Sequence, residues 1–479
     1  MSSSTVDAEV EPGVAPSHED PVVRGASTAI GGPVGLHARS GSSRSRAGVW
    51  VLLGLSCLTL ALGWVQKAPC RTHAWRAEYQ YTRMCYSDVF ALYFAEGLAE
   101  GKTPYAEHPV EYPVVIGGLM AAGAEVAALF PREERPSRFF DVTALLLAGC
   151  GLVMAATTIG LAGRRRRWDA AMVALAPVLV LHAYTNWDLA AAALTGLGLL
   201  AWARCRPGWA GVWLGLGTAT KLYPVLLLVP LFLLCLRMRR LPEFRRTALA
   251  AALSWLAVNL PIWWAYPDAF GRFYSLNRTR AADWDSLWFA LQHVRGRPLD
   301  PGLAAGAAPT VLNALAAAGF LLGLAGIAAL ALRAPVRPRL AQLAFLTLVA
   351  FLLSNKVFSP QYSIWLLPLA VLARPRWPAF LGWQVSELFL LFLRFYFFVG
   401  QDKPNDNQGV PTELFLTGVL LRDLALIVLA ALVVREVLHP GEDVVRRSGY
   451  DDPAGGVLVT AAPAAMRARR RLLRPLPSG

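Results

Sequence analysis

The segment that follows the first apolar block carries a carboxylate suited to acid–base chemistry. Asp88 stands directly after Ser87 and opens a stretch whose apolar and polar residues alternate at helical spacing as far as Glu100. A carboxylate at the start of a helix either caps the first free backbone amides or takes a proton from a bound hydroxyl group. The residue pattern leaves both interpretations open.

Basic residues stand at later breaks between apolar blocks. Lys221 follows a glycine-containing run, but no Ser or Thr follows it and the spacing differs from that of a nucleotide-binding loop. A lysine in an apolar region faces a cavity or an anion, or extends to the membrane surface. Arg278 and Arg280 lie among aromatic residues, which suits a phosphate group or an aromatic belt. Lys356 lies in a further polar turn, so these basic groups are predicted to converge on one phosphate.

Other polar residues allow narrower predictions. Asp188 is a helix cap, the interpretation that we favour slightly, or a second wall of the same site. Asp283-Trp284-Asp285 matches the carboxylate pair of metal-dependent sugar-nucleotide enzymes, but so short a match is weak evidence. The cysteines and histidines lack the spacing of zinc ligands, and we predict no metal and no cofactor. Cys70 and Cys85 form a disulfide or remain two free thiols.

The composition shows which elements position these groups. The chain has 479 residues, of which 55% are hydrophobic and 16% are charged, whereas soluble domains have about 25% charged residues. Blocks of about 17–25 apolar residues indicate membrane-spanning helices. The net charge of +14 comes largely from arginines in short loops between these blocks, which favours a role in membrane topology over nucleic-acid binding.

We therefore predict an all-α polytopic membrane protein with about twelve transmembrane helices in a single domain, 47–437. The tails 1–46 and 438–479 are predicted to be disordered and cytoplasmic. The predicted spans are 49–66, 139–161, 169–185, 188–203, 208–220, 222–236, 246–264, 307–332, 340–356, 360–373, 377–398 and 413–434, although 208–236 is equally compatible with one bent helix.

The arginine clusters fall in alternate loops if both termini are cytoplasmic and Pro113–Phe130 does not cross. We therefore expect Pro113–Phe130 to be a juxtamembrane or re-entrant helix in the outer interface. The loops 67–138 and 265–306 then face outward. Their length beside the short inner loops predicts that the active site lies on the outer face.

The same residues, taken in order, resemble the GT-C glycosyltransferases, in particular the polyprenol-phosphate-mannose-dependent α-mannosyltransferases of glycosyltransferase family 87. The resemblance spans roughly 49–437. It rests on Asp88, on the Gly101–Pro113 stretch with its Gly-Lys-Thr-Pro-Tyr and Glu-Tyr-Pro runs, on Thr220-Lys221, and on Asn355–Tyr362. It implies a GT-C-like bundle with juxtamembrane helices in the first outer loop.

The resemblance also implies an activity. The protein is expected to transfer a hexose, mannose in the first instance, from a polyprenyl-phosphate donor to a glycolipid or polysaccharide of the cell envelope. Asp88 is the expected catalytic base, and Lys221, Lys356, Arg278 and Arg280 are expected to bind the donor phosphate. The expected acceptor-binding or substrate-binding residues are Tyr105, His108, Glu111, Asp188, Gln361 and Tyr362. The alternatives are a transporter or flippase for a lipid-linked sugar, which requires inverted repeats, and a non-catalytic scaffold.

Overall fold

The computed structural model describes residues 20–32, 46–73, 75, 77–304, 306–402 and 409–459, and every regular element in those ranges is a helix. The α-helices in this part of the chain are α1 Pro21–Gly31, α2 Ala47–Thr72, α3 Ala77–Thr82, α4 Asp88–Ala95, α5 Val114–Ala128, α6 Arg135–Ala162, α7 Ala171–Ala174, α8 Pro177–His182, α9 Asp188–Ala203, α10 Pro207–Thr220, α11 Leu228–Arg237, α12 Leu241–Ala265, α13 Pro267–Thr279, α14 Leu287–Arg295, α15 Thr310–Arg333, α16 Leu340–Ser354, α17 Ser363–Ala373, α18 Trp377–Asp402, α19 Thr412–Leu438 and α20 Val444–Arg447.

Among the described residues, 6 helices are long and apolar enough to cross a membrane: α2, α6, α12, α15, α18 and α19. Shorter apolar helices, among them α9, α11, α16 and α17, pack between them. The prediction of an all-α polytopic membrane protein is confirmed. The shorter helices have fewer than the roughly 20 residues that a perpendicular span requires. By length alone, they do not qualify as the full spans that make up the predicted total of about twelve.

One predicted span differs from the structure, whereas the predicted pair 208–220 and 222–236 agrees with it. The span 169–185 is not one helix, because the chain becomes extended at Ala176 (ψ 123°) between α7 and α8. Pro177 explains the break, since proline lacks a backbone N–H and disfavours helical geometry at the preceding residue. The stretch 208–236 forms two helices, α10 and α11, separated at Lys221, which is extended (φ −146°, ψ 144°).

Glycines allow two of the helices to approach closely. A Cβ atom at Gly211 would meet the carbonyl oxygen of Thr247, and one at Gly215 would meet the Ser254 hydroxyl of α12. The glycines before Lys221 therefore serve helix packing. Close packing explains why this run contains glycines, as a nucleotide-binding loop also does.

The arginine-bearing helix ends meet at one end of the bundle. Helix α5, by contrast, is 15 residues long, starts beside Tyr112, and packs its Gly123 against Phe139 and Thr143 in the first turns of α6, so it stays at the opposite end. Ion pairs at this end of the bundle are Arg339–Asp443 (2.7 Å), Arg337–Asp452 (3.2 Å), Arg166–Asp169 (2.7 Å) and Arg374–Glu436 (3.0 Å).

The described parts of the two tails depart from the predicted disorder. Asp20 caps α1, and its carboxylate also accepts a hydrogen bond of 2.8 Å from the backbone N–H of Trp377. In the C-terminal segment, Asp443 and Asp452 are buried beside arginines of the bundle. Composition alone misses these buried ion pairs. Residues 1–19, 33–45 and 460–479, with the basic run that ends the chain, lie outside the described residues.

Candidate active site

A cavity of about 430 Å³ opens at the end of the bundle opposite the arginine network. It lies where α4, α9 and α17 begin and where α10 and α16 end. Of the residues predicted from the sequence, the cavity is lined by Asp88, Glu111, Lys221, Arg280, Gln361 and Tyr362. Tyr105, His108, Asp188, Arg278 and Lys356 are not among the residues that line it.

Asp88 is the first residue of α4, but it is not the helix cap. The hydroxyl of Ser87 fills that role by accepting the Val89 N–H at 3.2 Å. The Asp88 backbone N–H donates to the carbonyl of Thr185 (2.8 Å), which ties the start of α4 to the chain just before α9. The side chain is thus free of the capping role and is half-buried in the cavity wall.

The Asp88 carboxylate is held by hydrogen-bond donors from separate parts of the chain. Tyr86 donates its hydroxyl to Oδ1 at 2.7 Å, and Asn186 donates its amide to Oδ2 at 2.7 Å. Gln361 approaches Oδ2 at 3.4 Å. Because a carboxylate accepts at about four lone-pair positions, these contacts orient the group and leave capacity for a substrate hydroxyl.

Lys221 faces the cavity and does not extend to the membrane surface. Its side chain is buried beyond the end of α10, where Nζ donates to Asn186 Oδ1 at 3.0 Å and lies 3.2 Å from Asp188 Oδ1. The ammonium also lies over the rings of Tyr112 (5.1 Å) and Tyr362 (5.8 Å), a favourable cation–π arrangement.

Asp188 therefore differs from the helix cap that the sequence favours. Its side chain is fully buried, pairs with Lys221 and accepts a hydrogen bond of 2.7 Å from Trp365 Nε1. The cavity lining does not include it, so its contact with a substrate is indirect. Asp188 balances the charge of Lys221 and fixes the position of that ammonium group.

The other predicted phosphate-binding residues separate into two groups. Arg280 lines the cavity and lies 3.5 Å from the carboxylate of Asp283. Lys356 instead donates to Asn313 Oδ1 (2.6 Å) and to the carbonyl of Arg278 (3.2 Å). The pKa of Lys356 is lowered to about 8, mainly by burial and to a smaller extent by repulsion from Arg280. Of the basic groups predicted to converge on one phosphate, Lys356 and Arg278 do not line the cavity.

The first loop contributes Glu111 to the cavity and holds Tyr105 and His108 behind it. Tyr105 has a positive φ of 67° and donates its hydroxyl to the carbonyl of Tyr112 at 2.8 Å. His108 lies 3.5 Å from Glu96, whose carboxylate also accepts the backbone N–H of Glu111 at 3.2 Å. Tyr105 and His108 therefore shape the loop, whereas the sequence predicted direct substrate contact.

Burial changes the titration of both loop carboxylates. It raises the pKa of Glu96 to about 7. It also raises the pKa of Glu111, and repulsion from Asp88 adds to the effect. Both side chains therefore hold a proton at higher pH than an ordinary glutamate.

Several residues that the cavity brings together had no role in the predictions from the sequence. Asn186 and Tyr86 hold Asp88, and Lys67 of α2 lies beneath them, with its Nζ donating to the Tyr86 carbonyl at 2.8 Å. Arg394 of α18 also lines the cavity. Lys67 and Arg394 are charged residues inside apolar helices, and this signal alone marks a residue for attention in a membrane protein.

Asp283 and Asp285 lie in different surroundings. Asp285 is fully buried and bonds Arg394 at 2.8 Å, whereas Asp283 lines the cavity. Among the described residues, no group of three or more His, Cys, Asp or Glu side chains is arranged to hold a metal ion.

A disulfide joins Cys70, near the end of α2, to Cys85, just before Tyr86. The two cysteines are 15 residues apart, and closing a loop of that length stabilises a fold by about 3 kcal/mol. The bond anchors the chain three residues before Asp88, so it restrains the position of the carboxylate.

Comparison with protein-family models finds a similarity for this chain. The family model of glycosyltransferase family 87 matches residues 128–360. The match covers slightly less than half of the chain and supports a membrane glycosyltransferase of this family. It includes Asn186, Lys221 and Arg280, while Asp88 lies before it. A search of curated proteins found no significant match.

Proposed function

We propose that this family 87-like protein transfers a hexose, mannose in the first instance, from a polyprenyl-phosphate-linked donor to an envelope glycolipid or polysaccharide. Asp88 is the general base. The observation that carries the proposal is a shared cavity of about 430 Å³, in which the Asp88 carboxylate and the Lys221 ammonium are joined through one side chain, Asn186.

The arrangement supports transfer of the sugar in one displacement step. Asp88 takes the proton of an acceptor hydroxyl as the hydroxyl oxygen forms a bond to the anomeric carbon of the donor sugar. The bond between that carbon and the phosphate oxygen breaks, and its electron pair leaves with the lipid phosphate. Lys221 and Arg280 stabilise the negative charge on this leaving group. Because the phosphate departs without a proton, one carboxylate suffices, and attack from the opposite side inverts the anomeric centre.

Membrane topology supports an active site on the outer face of the cell membrane. The arginine-bearing helix ends lie opposite the cavity, and both ends of the helical domain, at α2 and α19, are on the arginine side. Arginines favour cytoplasmic loops, so we infer cytoplasmic termini and an external cavity. A disulfide beside the cavity suits an oxidising exterior.

Envelope lipids and glycans provide the direct test. Mass spectrometry of envelope extracts from cells with and without the protein should show an acceptor that loses one hexose when the protein is absent. An unchanged envelope, together with no sugar transfer by isolated membranes, contradicts the proposal. Movement of an intact lipid-linked sugar across protein-containing vesicles, without transfer, would instead identify a flippase.

A further inference from the structure

A second groove lies on the membrane-facing side of the bundle, between α15, α16 and α19. It has a volume of about 590 Å³, and none of its described lining residues also lines the candidate active site. Its wall along α15 runs from Gly323 to Arg333. At about 1.5 Å per residue, this stretch covers about 15 Å, which is half of a hydrocarbon core of about 30 Å.

The wall of the groove is apolar along almost its whole length. Ile327 of α15, Leu346 and Val349 of α16, and Val434 of α19 contribute to it. Gly326 also lines the groove, and a Cβ atom at this position would meet nothing within 4 Å. The groove is therefore open beside Gly326, with space and apolar surface for a hydrocarbon chain.

Arg333 gives the groove a positive charge at the arginine end of the bundle. Its side chain is exposed, and within the described ranges no carboxylate forms an ion pair with it. The neighbouring Arg337 and Arg339, in contrast, are buried and paired with Asp452 and Asp443. Arg333 is thus available to an anion that approaches from the membrane surface.

We propose that this groove binds an anionic phospholipid from the leaflet at the arginine end. One acyl chain lies along α15 between α16 and α19, and the headgroup phosphate contacts Arg333. The length of the groove fits a single leaflet, and basic positions between membrane helices attract anionic headgroups. This site is distinct from the proposed donor cavity, which lies at the other end of the bundle.

Native mass spectrometry of the purified full-length protein tests this site. The protein is incubated with phosphatidylglycerol or with phosphatidylcholine of identical acyl chains. Arg333→Gln removes the charge, and Gly326→Leu fills the open space. The matched controls are Arg246→Gln at another exposed arginine and Gly382→Leu at another exposed glycine with nothing within 4 Å of its Cβ position.

The wild-type protein should retain one phosphatidylglycerol in preference to phosphatidylcholine. Arg333→Gln should weaken phosphatidylglycerol retention about fivefold, the effect expected of one basic residue near an anionic surface. Gly326→Leu should weaken retention of both lipids, while the controls behave as wild type. Equal retention of the two lipids, or test variants that match their controls, overturns the proposal. So does a dimer that Gly326→Leu dissociates, because the groove would then be a subunit contact. If Gly326→Leu fails to fold by circular dichroism, the exposed Arg333→Gln decides the test.

Discussion

Asn186 donates its side-chain amide to the Asp88 carboxylate at 2.7 Å. The carbonyl oxygen of the same side chain accepts a hydrogen bond of 3.0 Å from Lys221. One amide therefore sets both the proposed base and the proposed phosphate-binding cation. A second donation of 2.7 Å to the Tyr112 hydroxyl fixes the plane of this amide.

Replacing Asn186 with Ala should release Asp88 and Lys221 at once. Misplacing reacting groups by about 1 Å costs on the order of 10²-fold in rate, and we expect a loss of that size in sugar transfer. The measurement is transfer by membranes that contain equal amounts of protein. The control is Asn259→Ala, because Asn259 is buried and, among the described residues, its side chain bonds only the carbonyl of Trp255 in its own helix. Wild-type activity in Asn186→Ala would show that the Asn186 side chain is not needed to position Asp88 and Lys221.

Lys221 and Lys356 should differ sharply when they are replaced. Lys221→Gln should lower transfer by roughly 10²–10³-fold, the usual effect of losing one group that stabilises developing charge. Because this change leaves Asp188 buried without its partner, it should be made together with Asp188→Asn, which removes the unpaired charge.

Lys356→Gln is the matched comparison and should keep most of the transfer activity, because Lys356 bonds Asn313 and a backbone carbonyl. Transfer rates, measured at matched expression, decide between the two lysines. An inactive Lys356→Gln beside an active Lys221→Gln/Asp188→Asn variant would reverse the assignment.

The contrast between the two lysines shows which features of the site can be predicted from the sequence. Both stand at polar breaks between apolar blocks, so the pattern treats them alike. The direction of each side chain depends on partners far away in the chain: Asp188 for Lys221 and Asn313 for Lys356. Sequence spacing does not supply such long-range contacts. It did identify Asp88 and Lys221, which both line the cavity.

Glu96 should make the protein less stable as the pH rises. Burial raises its pKa from 4.5 to about 7, so between these values the folded state holds a proton that the unfolded chain releases. The free energy of unfolding therefore falls as the pH rises through this window and stays low above it.

Glu96→Gln should remove this penalty, and its melting temperature in detergent should change less than that of the wild type between pH 5 and pH 8. The control is Glu133→Gln, at an exposed glutamate. An identical pH dependence in Glu96→Gln and in the wild type would disprove the role of this carboxyl group.

Asp285 should stabilise the fold through its ion pair with Arg394. Its carboxylate bonds Arg394 at 2.8 Å in a fully buried position, and breaking a buried ion pair typically costs about 3–5 kcal/mol. Asp285→Asn should therefore lower the melting temperature more than Asp283→Asn does, and a chelator should leave wild-type transfer unchanged. If chelation abolished transfer and Asp285→Asn were stable but inactive, the two aspartates would be metal ligands.

The fold was predictable wherever the apolar blocks were long and uninterrupted. The predicted spans 49–66, 139–161 and 413–434 lie within α2, α6 and α19. The prediction failed where one residue changed the local geometry, as Pro177 does between α7 and α8. It also failed in the tails, because the buried ion pair of Asp443 with Arg339 joins residues 104 positions apart.

Sugar transfer by Asp88→Asn in isolated membranes decides whether Asp88 is the catalytic base. The substitution keeps the size of the side chain and removes its charge and its ability to accept a proton. We expect normal expression with transfer abolished, while Asp268→Asn, at an exposed aspartate of α13 outside the cavity lining, remains active. Transfer at the wild-type rate by Asp88→Asn would contradict the assignment of the base.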